Sequence, residues 1–213
     1  MQKFIPIFPL NLVAYPGEQI NLHVFEPRYK QLINECNIES KRFGIPVVNK
    51  STMLEYGTEM ELIKIQKVYP DGEMDIKIRG VDVFQLLELV EVVPEKLYPG
   101  AIVTTIQNIL DHHSRLFAEF EALTSQLFTL LDITKDVYKP DFILNSFGLG
   151  HYVGFNFKDE YELLRHPRET SRQKLIVEHI KKILPSVLQI NEIKERAKLN
   201  GQFRMLNPPD SWK

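Results

Sequence analysis

Residues 8–29, FPLNLVAYPGEQINLHVFEPRY, constrain this chain more than any other stretch, because strand, turn, strand and helix signals follow one another with almost no gap. Phe8-Pro9-Leu10 and Leu12-Val13-Ala14-Tyr15 read as a strand with Pro9 at its start, where a missing N–H does least harm. Pro16-Gly17 is a turn: Pro presets φ and Gly accepts a positive φ. Ile20, Leu22 and Val24 then alternate with Asn21, His23 and Phe25, the period-2 pattern of a second strand. Glu26-Pro27-Arg28-Tyr29 converts that strand into a helix. Pro27 suits the first helical position, where an N–H would be unsatisfied anyway, and Glu26 stands near the positive end of the helix dipole.

The combination FPL…PG…LHVFEPRY resembles the signature of the Lon protease N-terminal domain, the substrate-binding part of that machine, shared with the Lon-like domain of cereblon. Pro9, Pro16, Gly17, Glu26, Pro27, Arg28 and Tyr29 carry the motif. The resemblance implies an α+β fold: a PUA-like, mixed or antiparallel, barrel-like β-domain, then an α-helical bundle. The change of period at Leu110 sets expected boundaries at residues 1–109 for the β-domain, 110–205 for the helices and 206–213 for a tail. The resemblance also implies recognition of proteins rather than chemistry.

The rest of the chain fits that order. Leu32, Ile33 and Cys36 fall on one face of a short helix from Pro27, with Cys36 as a small buried hydrophobe. Residues 42–48 and 58–68 read as strands, and Tyr69-Pro70-Asp71-Gly72 is a strong turn signal. Met74, Ile76 and Ile78 alternate with charged residues as the returning arm of a hairpin, and Gly80 is expected to break it. Residues 81–93 and 101–109 are further β segments. At Gly80-Val81-Asp82-Val83-Phe84 the chain departs from the G-x-x-R-F of Lon domains, so any ion pair made through that arginine is lost at Val83. From Leu110 the period lengthens: Leu116, Phe120, Leu123, Leu127 and Leu131 mark one helix face, with Asn108 or Asp111 as its cap. Helices are also expected from Pro140, carrying Phe142, Ile143, Phe147 and Leu149, and from Asp159. A long helix over residues 171–199 should carry a stripe from Ile176 and Ile180 through Ile183 and Val187 to Ile190, Ile193 and Ala197. Pro185 should kink or split it, and Asn200-Gly201 should stop it. Tyr161-Glu-Leu-Leu164, Arg172-Gln173 and the Lys194-Glu-Arg…Leu199-Asn-Gly201 ending resemble the helical part of small stand-alone Lon-like proteins.

Composition bounds the function. A net charge of −2 over 213 residues argues against a general nucleic-acid binder. One cysteine, Cys36, allows neither an internal disulfide nor a cysteine zinc cage. Pro6 and Pro9 interrupt the N-terminal apolar run, so no signal peptide is expected, and no run approaches the roughly 20 residues of a membrane span. A cytoplasmic location follows as an expectation.

Motifs for chemistry are weak. Gly44 to Ser51 imitates a phosphate-binding loop, but Asn49 replaces its second Gly and Pro46 removes an N–H, so a strand-end turn is the better reading. Ser146 lacks the first Gly of a nucleophile elbow. His112 and His113 are adjacent and point about 100° apart on a helix, unlike an i, i+4 ligand pair. His23 is expected to face solvent or bond nearby, and Asp71, Glu73 and Asp75 to form a solvated hairpin tip. Glu26 is expected to satisfy N–H groups at the helix start, and Arg28 to pair with an acidic neighbour. At 213 residues the chain is expected to lack Lon's ATPase and serine–lysine protease modules.

The resulting expectation is a non-catalytic protein- or peptide-recognition module with no cofactor and no metal. It would bind unfolded or specific client polypeptides and could serve a separate ATPase or protease. Tyr15, Phe25, Tyr56 and Tyr69, each beside a turn, are the candidate contacts. An RNA-binding PUA-like module is the alternative, resting on fold analogy and a basic set at Lys181, Lys182, Lys194, Arg196 and Lys198.

Overall fold

Strand pairing begins before the motif stretch, not within it. The protein is seen as a computed structural model that describes residues 2–133 and 146–203, and its first strand, β1, is Gln2–Pro6. Residues 8–15, expected as a strand, are irregular and meet β3 (Phe43–Asn49) through two isolated parallel bridges, Ile7 to Gly44 and Leu10 to Val47. Pro9 lies between those bridges and removes the N–H that a continuous ladder would use there.

β2 (Gln19–Val24) leads into α1 (Pro27–Glu39), and β4 (Thr52–Val68), β5 (Met74–Val90) and β6 (Gly100–Ile106) complete the sheet. Its order is β1-β6-β5-β4-β3 with β2 also on β5, and the pairs are antiparallel. The stretch that imitates a phosphate loop is a tight hairpin: Asn49 pairs with Thr52, and Lys50 and Ser51 between them have φ of 47° and 69°. Two positive φ values in a two-residue loop match the twist of the strands they join. β4 therefore starts six residues earlier than its hydrophobic pattern indicated. Its imperfect alternation reflects three register shifts against β5. The next turn forms as expected, with Gly72 N–H donating to the Tyr69 carbonyl at 2.9 Å.

Gly80 does not break a strand; β5 runs through it. The Tyr15 carbonyl occupies the space where a side chain at residue 80 would begin. Gly17 N–H donates to the Gly80 carbonyl, and Gly80 N–H to the Glu18 carbonyl, both at 2.9 Å. The glycine marks a close approach of two backbones.

The helical part comprises α2 (Ser114–Leu130), a 3₁₀ turn (Ser146–Leu149), α3 (Phe157–Arg165) and α4 (Glu169–Phe203). His113 caps α2, its ring nitrogen accepting from Leu116 N–H at 3.2 Å. Asp111 and Asn108, the expected caps, serve α4 instead: Asp111 accepts from Thr170 N–H at 2.9 Å, and Asn108 from Arg172 at 2.8 Å. The helix expected from Pro140 lies outside the described residues up to 145, as does the 206–213 tail, while Phe147 and Leu149 sit in the 3₁₀ turn. Pro185 does not split α4, which also continues past the expected stop at Asn200-Gly201. Pro185 and Lys181, whose carbonyl loses its helical donor, both lie on an exposed face, where the cost of an unpaired carbonyl is smallest.

Of three apolar clusters among the described residues, two hold the helices to the sheet. Phe8, Tyr29, Leu32, Ile33, Cys36, Phe43, Ile76 and Ile78 are buried between α1 and the sheet. Tyr15, Val83, Phe120, Leu127, Phe147, Leu163, Ile176 and Ile180 are buried where the helices meet the sheet. Each large side chain in them stabilises the fold by about 1.5–3 kcal/mol relative to exposure. The stripe on α4 divides: Ile176 and Ile180 are buried, Ile183 and Val187 partly so, and Ile190 and Ile193 are 55% and 66% exposed. No helix among the described residues is long and apolar enough to cross a membrane.

Candidate functional site

The motif stretch folds back on itself. Phe8 stacks on Tyr29 with ring centroids 3.8 Å apart, and Arg28 lies over the same tyrosine ring at 4.6 Å. Pro16 and Gly17 form a turn closed by Glu18 N–H donating to the Tyr15 carbonyl at 3.1 Å, with Gly17 at φ 85°. Glu26 precedes α1 as expected, yet its side chain caps nothing; its carboxylate takes Arg28 at 2.7 Å, and its main-chain carbonyl accepts from Lys30 N–H at 2.9 Å. Pro27 opens α1. These residues shape a corner.

Tyr15, one of the candidate contacts, is buried. It is 1% exposed, because it fills the seam between sheet and helices. Its ring stacks with Phe147 at 5.5 Å and lies 4.7 Å from the His151 ring, and its hydroxyl donates to the Glu160 carbonyl at 3.0 Å. Burial, reinforced by the charges of Glu160 and Glu18, pushes its pKa up. His151 closes the seam between two carboxylates, Glu160 at 2.8 Å and Glu18 at 3.3 Å. Burial pushes that imidazole down, but the two carboxylates outweigh it and raise its pKa to about 9.

Behind the seam lies a buried ion pair. Arg172 donates to Glu169 at 2.8 Å, with side-chain exposures of 0% and 4%. Ser146 donates to the same carboxylate through both N–H (3.0 Å) and hydroxyl (2.9 Å). Arg172 also donates to the His166 carbonyl and to Asn108. Ser146, weighed above as a nucleophile, anchors the 3₁₀ turn to α4.

The other predicted contacts separate into two places. Phe25, 58% exposed, and the half-buried Tyr69 flank His23, with ring centroids at 6.3 and 5.7 Å from it. His23 bonds Asp75 at 2.8 Å and Glu73 at 2.9 Å, and these hydrogen bonds raise its pKa. Tyr69 donates its hydroxyl to Asp75 and lies under the Lys67 ammonium. Tyr56 is elsewhere, half-buried edge-on to Tyr161, with Arg165 over both rings. Cys36 is buried, which pushes its thiol up to about 12.

Sequence reasoning missed a cleft of about 560 Å³ beside β1. Its walls include Lys3, Phe4, Lys41, Arg42, Lys96 and Tyr98. Underneath, Glu35 accepts from Tyr98 at 2.5 Å, Lys41 at 2.9 Å and Lys96 at 3.0 Å. Burial pushes that carboxyl up, but these donors outweigh it and bring its pKa down to about 2. Lys3 pairs with the buried Glu59 at 2.7 Å. The cleft joins four distant segments, so no local spacing announces it; the Lys3-Phe4 and Lys41-Arg42 dipeptides were its only traces. No group of three or more His, Cys, Asp or Glu side chains among the described residues is placed to hold a metal ion.

Comparison with known proteins identifies the scaffold. Residues 5–199 match the family model of the ATP-dependent protease La (LON) substrate-binding domain. The chain belongs to that LON family. A LON peptidase N-terminal domain and RING finger protein of Schizosaccharomyces pombe is 31% identical over 98 residues, covering 37% of this chain and 20% of that protein. The chain thus spans about a fifth of that curated relative. The crystal structure of a Lon N-terminal domain protein from Xanthomonas campestris superposes with a TM-score of 0.65 at 22% identity, covering 82% of this chain and 97% of that one. The N-terminal domain of a Mycobacterium avium complex Lon protease gives 0.64 at 13% identity, covering 84% and 98%. These likenesses establish the LON fold: an antiparallel sheet with helices.

Within this LON domain the departure at Val83 has a clear setting. Val83 is 5% exposed and joins the apolar cluster between sheet and helices, where an arginine would need a buried partner.

Proposed function

We propose that this chain is a non-catalytic polypeptide-recognition module that engages unfolded or specific client proteins in the cytoplasm and passes them to a separate ATPase or protease. The match of residues 5–199 to a LON substrate-binding domain carries this reading. The fold supports it. The bridges Ile7–Gly44 and Leu10–Val47 join the segment after β1 to β3, which favours a barrel-like, PUA-like reading of the sheet, and the shared apolar cluster favours reading the helices as a bundle. Such a frame holds exposed apolar groups such as Phe4 and Phe25 in place for a partner. For the RNA-binding alternative, two of its basic residues already face carboxylates, Lys181 with Glu119 at 2.6 Å and Lys198 with Glu195 at 2.7 Å, which weakens that reading.

The test is retention of one client protein, native and denatured, on the immobilised chain over a range of salt. Enrichment of the denatured form is expected. Equal retention of both forms, or none at any salt, contradicts the proposal.

A further inference from the structure

β2 pairs with β5 alone, so its other side is an edge of the sheet. Main-chain direction along it follows from parity. Gly80 N–H donates to the Glu18 carbonyl, and β2 continues in that register, with Ile20 opposite Ile78 and Leu22 opposite Ile76. Alternation in an antiparallel pair turns the N–H and C=O of Ile20 and Leu22 toward β5, and those of Asn21 and His23 outward. Gln19, Asn21 and His23 are exposed, and among the described residues neither a proline nor a further main-chain bond blunts this edge. The two faces beside the edge differ in chemistry. Ile20 and Leu22 are half-buried and pack, with Leu10 and Leu12, against the α1 cluster. Asn21 and His23 stand on the solvent face.

Cross-strand rows on that solvent face locate an unmatched charge. In the row Gln19–Arg79–Glu61, Arg79 donates to Glu61. In the row His23–Asp75–Lys67, His23 bonds Asp75 and Glu73, while Lys67 stands opposite Asp75 and over the Tyr69 ring. Asp71, at the hairpin tip, accepts from Glu73 N–H. Between those rows lies Asn21–Lys77–Lys64. Its two lysines are directly opposite each other, and neither forms an ion pair among the described residues. Like charges so placed are unfavourable across a sheet, and an anion beside them relieves the repulsion. Neighbouring strands lie about 4.8 Å apart, so a residue paired with Asn21 on an added strand starts about 10 Å from the Lys77 backbone. Two long side chains span that gap across the short Asn21.

We propose, building on the polypeptide-recognition reading, that the edge of β2 takes an extended polypeptide segment as an added strand, with an acidic residue placed opposite Asn21. The ligand main chain pairs with Asn21 and His23, its carboxylate meets Lys77 and Lys64, and its alternate, apolar side chains cover Ile20 and Leu22. Phe25, exposed just past the end of β2, extends the apolar contact. A strand edge selects an extended peptide over other polyanions, since main-chain pairing needs amide groups on the ligand.

The experiment is fluorescence anisotropy on the full chain with labelled unfolded peptides in which Val alternates with Ser and the central Ser is kept or replaced by Glu or Lys. The Glu peptide is expected to bind about fivefold or more tightly than the Lys peptide at low salt, with the margin narrowing as salt screens it. Replacing both lysines, Lys64→Gln with Lys77→Gln, should bring the Glu peptide to the affinity of the Ser peptide. Asn21→Pro removes an outward N–H and no ladder bond to β5, so it should weaken all three peptides in a chain that stays folded by circular dichroism. Two further forms of the Glu peptide test the edge on the unaltered chain: one carries N-methyl groups on every Val amide, the other on every intervening amide. An added strand bonds β2 through only one of these sets, so one form should lose binding and the other keep it. Equal affinities for the Glu and Lys peptides, or for the two methylated forms, overturn the β2 proposal and leave polypeptide recognition standing. An RNA oligomer that binds more tightly than the Glu peptide, or a dimer in light scattering that Asn21→Pro dissolves, assigns the edge to another occupant and overturns it as well. Failure of every peptide to bind overturns both readings.

Discussion

Phe8 and Tyr29, the first and last residues of the motif stretch, stack face to face with 3.8 Å between centroids and 19° between planes. The contact ties the start of the irregular 8–15 segment to the first turn of α1, so the motif is spelled at its two ends by one aromatic pair. Replacing either ring by Leu is expected to cost about 1–2 kcal/mol in urea unfolding. The double variant should cost less than the sum, with a coupling of about 0.5–1.5 kcal/mol. Strict additivity would show that the stacking itself contributes nothing.

The Glu169–Arg172 pair is buried and hydrogen-bonded on both sides. Removing one partner leaves an uncompensated charge, so Arg172→Met is expected to cost about 3–5 kcal/mol. Replacing Glu169 by Gln in the same chain should recover part of that loss. The urea midpoint at unchanged slope is the readout. A loss below about 1 kcal/mol for the single variant would mean that the pair does not organise the 3₁₀ turn.

His151 gives the seam a pH dependence with a definite sign. Its folded pKa is raised to about 9 by Glu18 and Glu160 against an ordinary value of 6.5. The protonated form is favoured in the folded state, so its contribution is complete below pH 6.5 and is lost as pH rises through about 9. Allowing for solvent screening at a partly exposed site, the difference amounts to about 1 kcal/mol. His151→Gln should flatten the stability profile between those limits relative to the parent chain. Parallel profiles for the two chains would contradict the clamp.

Much of the sheet was legible because its signals are local. The Tyr69–Gly72 turn, the alternation of β2 and β5, and Pro27 at the start of α1 each report a nearby constraint. What failed depended on distant chain. Gly80 looked like a strand breaker because the Tyr15 backbone that fills its side-chain space is 65 residues away in sequence. Pro185 looked able to split a helix, but it and Lys181, whose carbonyl it leaves without a helical donor, lie on an exposed face. Tyr15 looked like a loop-tip contact, although Phe147, His151 and Glu160 enclose it from the far half of the chain. The cleft was invisible for the same reason: β1, residues 40–42 after α1, Glu59 of β4 and the 91–99 loop meet only in three dimensions.

Recognition of non-native polypeptide is tested most directly by isothermal titration calorimetry of the whole chain against one protein in two states, native and permanently unfolded by reduction and alkylation, at several temperatures. The account predicts saturable binding of the unfolded state with a negative heat-capacity change, the mark of apolar surface leaving water, and no saturable binding of the native state. Equal binding of both states, or no saturable heat from the unfolded state at any temperature, would contradict it.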